Sequence, residues 1–504
     1  MTVVDQNRDR RGRDGRTETP APRRKRPERR RPARGLTAVR VALTAWLSRP
    51  LASFHLILAI CGLLTTIGIV MVLSASSVES LNTGSSPYSL FRKHLVFVAL
   101  GSVVFWVALR LPLRRLRTLS STAMVLGLGL LVLVLTPLGT EHYGSKGWFD
   151  VAGYSFQPVE IAKVALAMWG AHILVTKHAV LHQWRHLLVP VVPAALLMFG
   201  LLMMQPDLGG TVTLGVVLLA LLWFAGAPKR LFGVLLGAAA LGVLVLALID
   251  QYRLDRVLSF LNPSADPQGK GLQANQALYA LADGGLFGKG LNQGASKWNY
   301  LPNVHHDFIF ALLGEELGLV GCVAVMGLFG LLAVVGLRIA TRNLDPWIRI
   351  LAGTLTAWLV AQAAINIGYV VGLLPVTGVT LPLISYGGTS LLVTMMLFGI
   401  LANCARHEPE AVAALRTQGP GKFGRLLRLP APEPYRPPAR KSGRRPAARS
   451  GAANGRRPAP RTARSAAAPD RRRSTARGGS TAARGTPVRN TARTSRTSNR
   501  RGTW

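Results

Sequence analysis

The stretch LPNVHHDFIFALLGEELG, residues 301–318, sets His305, His306 and Asp307 directly ahead of an apolar run, which then takes up Glu315 and Glu316. Side chains of these types take up protons or hold cations, and an apolar run admits them only at a cost. A second charged pair occurs in QPVEIAK, residues 157–163, where Glu160 and Lys163 are three apart and therefore share a helix face. Burying either charge alone is expensive and burying both together is cheaper, so the pair reads either as a structural ion pair or as the floor of a polar cavity. QPDLGGT at 205–211 and LLPVTGVTLPLISYGGTS at 373–390 add Pro, Gly and small hydroxyl residues between apolar runs. Broken backbone of this kind has to pack in protein or line an aqueous cavity, and it commonly surrounds a site. GGLFGKG at 284–290 looks like a phosphate-binding loop, but Gly290 follows Lys289 where a nucleotide loop has Ser or Thr. An anion cradle formed by its backbone N–H groups, with Lys289 and Lys297 as counter-charges, is the weaker form of that reading.

The elements that position these residues are membrane spans. The chain has 504 residues, 49% hydrophobic and 16% charged, with a positive mean hydropathy and repeated apolar runs of about 18 residues or more. The expected fold is all-α, a polytopic membrane protein of about ten transmembrane helices near 54–74, 94–112, 119–137, 158–176, 187–204, 210–227, 231–249, 307–338, 350–374 and 382–404. The formal charge of +38 belongs mostly to the ends: residues 1–40 carry a net +9 and residues 406–504 a net +21. Three regions follow: a basic disordered tail over 1–53, the transmembrane domain over 54–405, and a second basic disordered tail over 406–504. Neither tail interleaves aromatics with its arginines, which argues against nucleic acid; anionic lipid or an acidic protein fits better. The short loops at 113–118, 177–186, 228–230 and 339–349 each carry two or more Arg or Lys residues and fall on one side with the tails. The positive-inside rule makes that side, and both termini, cytoplasmic. The large loop at 250–306, ahead of the eighth helix, then faces outward, and Asp307 sits where it enters the membrane. Cys61, Cys322 and Cys404 fall in apolar runs, so no disulfide framework is expected.

Taken together, the outer-face motifs resemble the SEDS family (shape, elongation, division and sporulation) of polytopic peptidoglycan glycosyltransferases. The resemblance spans residues 54–405 and rests on four signatures in order: QPVEIAK against the family's QPSExxK, QPDLGGT, LPNVHHDFIFALLGEELG against LPExHTDFIFAxxGEELG, and GLLPVTGVTLPLISYGGTSLL. Val159 stands for a usual Ser, Asn303 for a usual Glu and His306 for a usual Thr, while Glu160, Lys163, Lys297 and Asp307 are matched.

The resemblance implies polymerisation of lipid II, a lipid-linked disaccharide-pentapeptide, into glycan strands at the outer face of the plasma membrane. It favours the division branch and hence the septum, chiefly from VLSASSVES at 72–80 and the long basic tail. Asp307 is then the catalytic group, as general base for the acceptor hydroxyl or as ligand of a divalent cation, Mg or Mn, that neutralises the diphosphate. No organic cofactor is implied. Lys297 is the leading diphosphate partner. Lys146, Arg92 and Lys93 are further outer-face cations, and Glu160, Lys163, Gln205 and Ser385 are expected to contact substrate. Glu315 and Glu316 read as structural. The implied partners are lipid II, the growing strand, a class B penicillin-binding transpeptidase, and other division proteins through the tails. A lipid II flippase and a non-enzymatic division scaffold are the alternatives.

Overall fold

The computed structural model describes residues 49–82, 86, 88–142, 144–151, 153–177, 189–249, 272–296 and 304–435. The long helices are α1 (Ala52–Asn82), α2 (Ser89–Arg110), α3 (Leu113–Leu133), α4 (Pro158–Thr176), α5 (Val191–Met204), α6 (Leu208–Phe224), α7 (Lys229–Ile249), α8 (Leu272–Gly284), α9 (Ile309–Arg342), α10 (Pro346–Val370) and α11 (Gly388–Arg406). Among the described residues, seven are long and apolar enough to cross a membrane: α1 over Ala52–Ser76, α2, α3, α4, α9, α10 and α11. The helices α5 and α6 are shorter and apolar, and α7 is an apolar helix of 21 residues. Each of the ten expected spans overlaps one of these ten helices.

Helices that are apolar nearly all round can pack one side by shape and leave another to lipid. In the bundle α11 lies against α2 and α1, α9 against α10 and α1, α10 against α6 and α4, and α3 against α4. The fully buried Trp347, Trp358, Tyr369, Phe308, Phe310 and Phe398 fill the space between them.

Several boundaries differ from the sequence expectation. The last long helix starts at Gly388 rather than 382, because residues 376–387 form an irregular segment folded into the bundle. Asp307 precedes α9, whose N-cap is Phe308. The connection after α3 forms a small antiparallel sheet, β1 (Thr140–His142), β2 (Ser145–Val151) and β3 (Tyr154–Phe156), paired in the order β1-β2-β3. The 250–306 connection is not all loop. It contains α8, which packs on α9.

The anion-cradle reading of GGLFGKG is corrected. The backbone N–H groups of Lys289 and Gly290 donate to the carbonyls of Glu315 and Glu316, both at 3.0 Å, and Lys289 Nζ pairs with Asp283 at 2.6 Å. The boundary of the basic tail at 406 is also corrected. The chain continues as α12 (Pro409–Thr417) and α13 (Lys422–Leu426) and then runs without helix or strand to Tyr435. This segment is held because it satisfies groups at the helix ends: Arg406 Nη2 donates to Pro430 O at 2.6 Å, and Trp106 Nε1 donates to Leu427 O at 3.1 Å. Leu429 is buried with them. Residues 1–48 and 436–504 lie outside the described residues. The three cysteines are free and buried.

Candidate active site

Pro158 occupies the first turn of α4, where its missing N–H leaves no bond unmade. This start puts Glu160 and Lys163 one turn apart at the helix's upper end. Lys163 Nζ donates to Glu160 Oε1 at 2.9 Å and to Thr213 Oγ1 of α6 at 3.1 Å, and lies 4.9 Å from the centre of the Trp358 ring. The ion pair is therefore internal to α4, and Lys163 also ties α4 to α6. Asp207 caps α6, accepting from Gly210 N at 2.7 Å, and takes a second bond from Gln157 Nε2 at 3.3 Å. Burial pushes the Asp207 carboxyl above its ordinary pKa, against the pull of the Gly210 N–H and of nearby Lys163.

Asp307 is fixed through its backbone. Its carbonyl accepts from Asn366 Nδ2 at 2.9 Å and lies 2.9 Å from the Tyr369 hydroxyl. Those same two side chains reach Val379 O at 2.7 and 2.8 Å. The end of α10 thus clamps the residue before α9 to the irregular 376–387 segment. Tyr386 reinforces the join, since its N–H donates to His305 O at 2.9 Å and its carbonyl accepts from His306 Nδ1 at 2.9 Å. Gly378 has a φ of 72°, a left-handed conformation that suits glycine, and a Cβ there would lie 3.6 Å from Asp307 Oδ2.

These elements enclose a cavity of about 340 Å³ whose wall includes Glu160, Lys163, Asp207, His306, Asp307 and Gln362. Among the described residues, no hydrogen bond reaches the Asp307 carboxylate. Burial raises its pKa from 3.8 to about 6. Burial also pushes both neighbouring imidazoles down, His305 to about 3, so they are neutral at physiological pH. Glu160 is committed to Lys163, and Asp207 to Gly210 and Gln157, which leaves Asp307 as the carboxylate open to a reactant.

Of the residues singled out in the sequence, Glu160, Lys163 and Asp307 line one cavity. Gln205 lies beside it, with Nε2 on Leu131 O and its carbonyl accepting from Ser145 Oγ. Ser385 closes a turn by accepting from Leu381 N at 2.8 Å. Lys146 Nζ donates to Leu135 O at 3.3 Å, and Arg92 and Lys93 are exposed at the start of α2; none of these lines the cavity. Lys297 lies outside the described residues. Glu315 accepts from Ala295 N at 2.6 Å and from the Ser296 hydroxyl, and Glu316 accepts from Ser74 Oγ on α1. Both glutamates therefore join segments of the fold.

Asp207, Gln157 and Gln362 are cavity residues that the sequence reading left out. For Asp207 the signal was present: it is an acid opening an apolar run inside a quoted motif, as Asp307 is. The described residues contain no group of three or more His, Cys, Asp or Glu able to hold a metal, and two of the three cavity carboxylates are already engaged, so a divalent cation at Asp307 would need water and phosphate oxygens for its other ligands.

The fold and site define a multi-pass membrane protein with an acidic cavity built from helix ends and one irregular segment. Residues 54–410 match the profile of the FtsW/RodA/SpoVE family, described as cell cycle protein, and the chain belongs to that family. It is 52% identical over 405 residues to the probable peptidoglycan glycosyltransferase FtsW of Mycobacterium tuberculosis, covering 80% of this chain and 77% of that one. It is 40% identical over 356 residues to the stage V sporulation protein E of Bacillus subtilis, covering 70% and 97%. Among solved structures, a chain of a peptidoglycan synthase complex that coordinates polymerization and crosslinking is similar, with a TM-score of 0.57 and 29% identity over 72% of this chain and 99% of that one. The rod shape determining protein RodA of Thermus thermophilus gives a TM-score of 0.51 at 28% identity, with the same coverage.

Proposed function

We propose that the chain is a peptidoglycan glycosyltransferase that polymerises lipid II into glycan strands at the outer face of the plasma membrane, for septal wall synthesis in division. The observation that carries this reading is the Asp307 carboxylate, anchored by its backbone, open to a polar cavity, and poised near neutral pH by burial. A general base works best when its pKa lies close to the operating pH. In the proposed step, the ionised carboxylate takes the proton of the acceptor sugar's hydroxyl as that oxygen attacks the donor's anomeric carbon. The bond to the lipid diphosphate breaks, and the diphosphate leaves with the bonding electron pair. Asp207, Gln157 and the Lys163–Glu160 pair shape the cavity that receives the sugar. Lys297, in the motif ahead of Asp307, is proposed to meet the diphosphate. Were a divalent cation bound, Asp307 would be its protein ligand and the cation would neutralise the diphosphate.

Support comes from the relatives: FtsW of M. tuberculosis carries the name of a probable peptidoglycan glycosyltransferase, and the solved neighbour belongs to a peptidoglycan synthase complex. By the same reading a class B penicillin-binding transpeptidase is the membrane partner. Both termini are cytoplasmic by the charge of the short loops, and the basic tails recruit acidic division proteins or anionic lipid. The test is purified protein with lipid II in detergent, where no second leaflet exists to receive flipped substrate. Glycan strands are expected. Their absence, with or without the transpeptidase, together with movement of lipid II across vesicle membranes, would assign the cavity to transport.

A further inference from the structure

The helix α9 is broken at Gly318, whose φ of 68° and ψ of −167° are not helical. Below the break, Leu319 to Leu337 is a run of 19 residues without a polar side chain, about 28 Å long at 1.5 Å per residue, close to the ~30 Å of a bilayer's hydrocarbon core. The break therefore falls at the membrane boundary on the cavity's side. The turn after α8 is spliced into it. Leu319 N donates to Gly285 O at 2.9 Å and Val320 N to Leu286 O at 3.2 Å, while Lys289 and Gly290 donate to the carbonyls above the break. The backbones meet so closely that a Cβ on Gly288 would stand 2.2 Å from Glu316 O.

This splice fixes α8 and its turn at the level where α9 enters lipid, and α8 has two faces. Ala277, Ala280 and Gly284 are buried toward α9, and Gln273 reaches the cavity wall. The other side of α8 carries Leu278 and Tyr279, and the turn after it carries Leu286, Phe287 and Leu291, all exposed, with Phe287 at 82%. The patch runs on into Leu319, Val320 and Val323, exposed on the apolar run of α9 below the break. At its edge lies the Asp283–Lys289 pair. Apolar residues flanked by a tyrosine and a lysine, on a short helix and the turn that follows it, match a segment seated in the headgroup boundary. An apolar patch of this kind left in water would be an aggregation liability.

We propose that Leu278, Tyr279, Leu286, Phe287 and Leu291 form a lipid-seated crest, inserted in the leaflet boundary on the cavity's side, and that the bilayer itself is its partner. The crest makes α8 and the turn after it a membrane-seated element, and it holds α8, with Gln273, against the cavity.

The test uses the full chain in nanodiscs of phosphatidylethanolamine and phosphatidylglycerol, with an environment-sensitive fluorophore on Phe287→Cys. Val323→Cys is the lipid reference and exposed Asp150→Cys the water reference. Unsubstituted protein checks that buried Cys61, Cys322 and Cys404 stay unlabelled. Phe287→Cys is expected to give blue-shifted emission, with quenching by lipids spin-labelled near the headgroup within about twofold of that at Val323→Cys and little quenching by iodide. Leu286→Cys, at the neighbouring position, is expected to agree. Iodide quenching equal to that at Asp150→Cys would overturn the proposal. So would protection that appears only when a transpeptidase or another protein is added, which would make the crest a protein interface.

Discussion

Replacing Asp307 with Asn keeps the size of the side chain and removes its capacity to accept a proton, so it isolates the general-base step. With a carboxyl pKa of about 6, the ionised fraction is about 0.9 at pH 7, about 0.5 at pH 6 and about 0.1 at pH 5. The rate of strand formation should therefore fall about tenfold between pH 7 and pH 5, with its midpoint near pH 6. An ordinary aspartate would hold its activity until about pH 4. In Asp307→Asn the rate should drop roughly 10²- to 10⁴-fold, and the limb near pH 6 should disappear. Stability should move the other way. Because burial raises the pKa, the folded protein favours the neutral carboxyl, so the associated stability is present below about pH 4 and is lost as pH rises through about 6. Asn is neutral at every pH, so at pH 7 the variant should melt no lower than the parent. The assay is the initial rate of polymerisation of labelled lipid II in detergent from pH 4.5 to 8, beside melting curves of both proteins. Near-normal synthesis by Asp307→Asn, or a parental midpoint near pH 4, would refute the reasoning. Loss of activity accompanied by a large drop in melting temperature would show that the carboxylate supports the fold instead.

The Glu160–Lys163 pair should show strong coupling: each single Ala substitution strands a buried charge at a cost of roughly 3–5 kcal/mol, and the double substitution should melt higher than either single. Melting in detergent checks this, and a double variant less stable than both singles would contradict it. A chain ending at Tyr435 should polymerise lipid II within about twofold of the full chain, yet lose recruitment to the septum, and its cytoplasmic attractions should weaken with salt because screening acts over about 10 Å at 0.1 M. A chain ending at Thr417 should lose thermal stability, since it removes Leu429, whose burial is worth about 2 kcal/mol, and with it the acceptor of buried Arg406.

The sequence exposed the spans well because each rests on a local property, a long apolar run, and the ten runs overlap ten helices. It failed where a segment's structure depends on distant backbone. The glycines of 284–290 looked like an anion cradle because glycine-rich turns free their N–H groups. In the fold, those of Lys289 and Gly290 are taken by carbonyls at 315 and 316, a partnership between positions about 26 residues apart that no local pattern announces. The tail boundary failed for a related reason. Residues 409–435 are too poor in large apolar groups to form a core alone, but Ala411, Val412 and Leu429 are buried, and the carbonyls of Leu427 and Pro430 satisfy Trp106 and Arg406 of the bundle.

The site divides along the same line. Residue type was enough to find Asp307, Glu160 and Lys163, because an ionisable group in an apolar run is conspicuous wherever it stands. What makes the three into one cavity was not legible. Asn366 and Tyr369 bind the carbonyls of both Asp307 and Val379, and neither side chain is unusual in a helix. Their work is to join two backbones that come together only after α9, α10 and the 376–387 segment have packed. Ionisable type is therefore written in single residues. Placement is written in neutral side chains that satisfy main-chain groups where helices end: among the described residues, the side chains that hold Asp307 bond to its backbone carbonyl, and no hydrogen bond reaches its carboxylate.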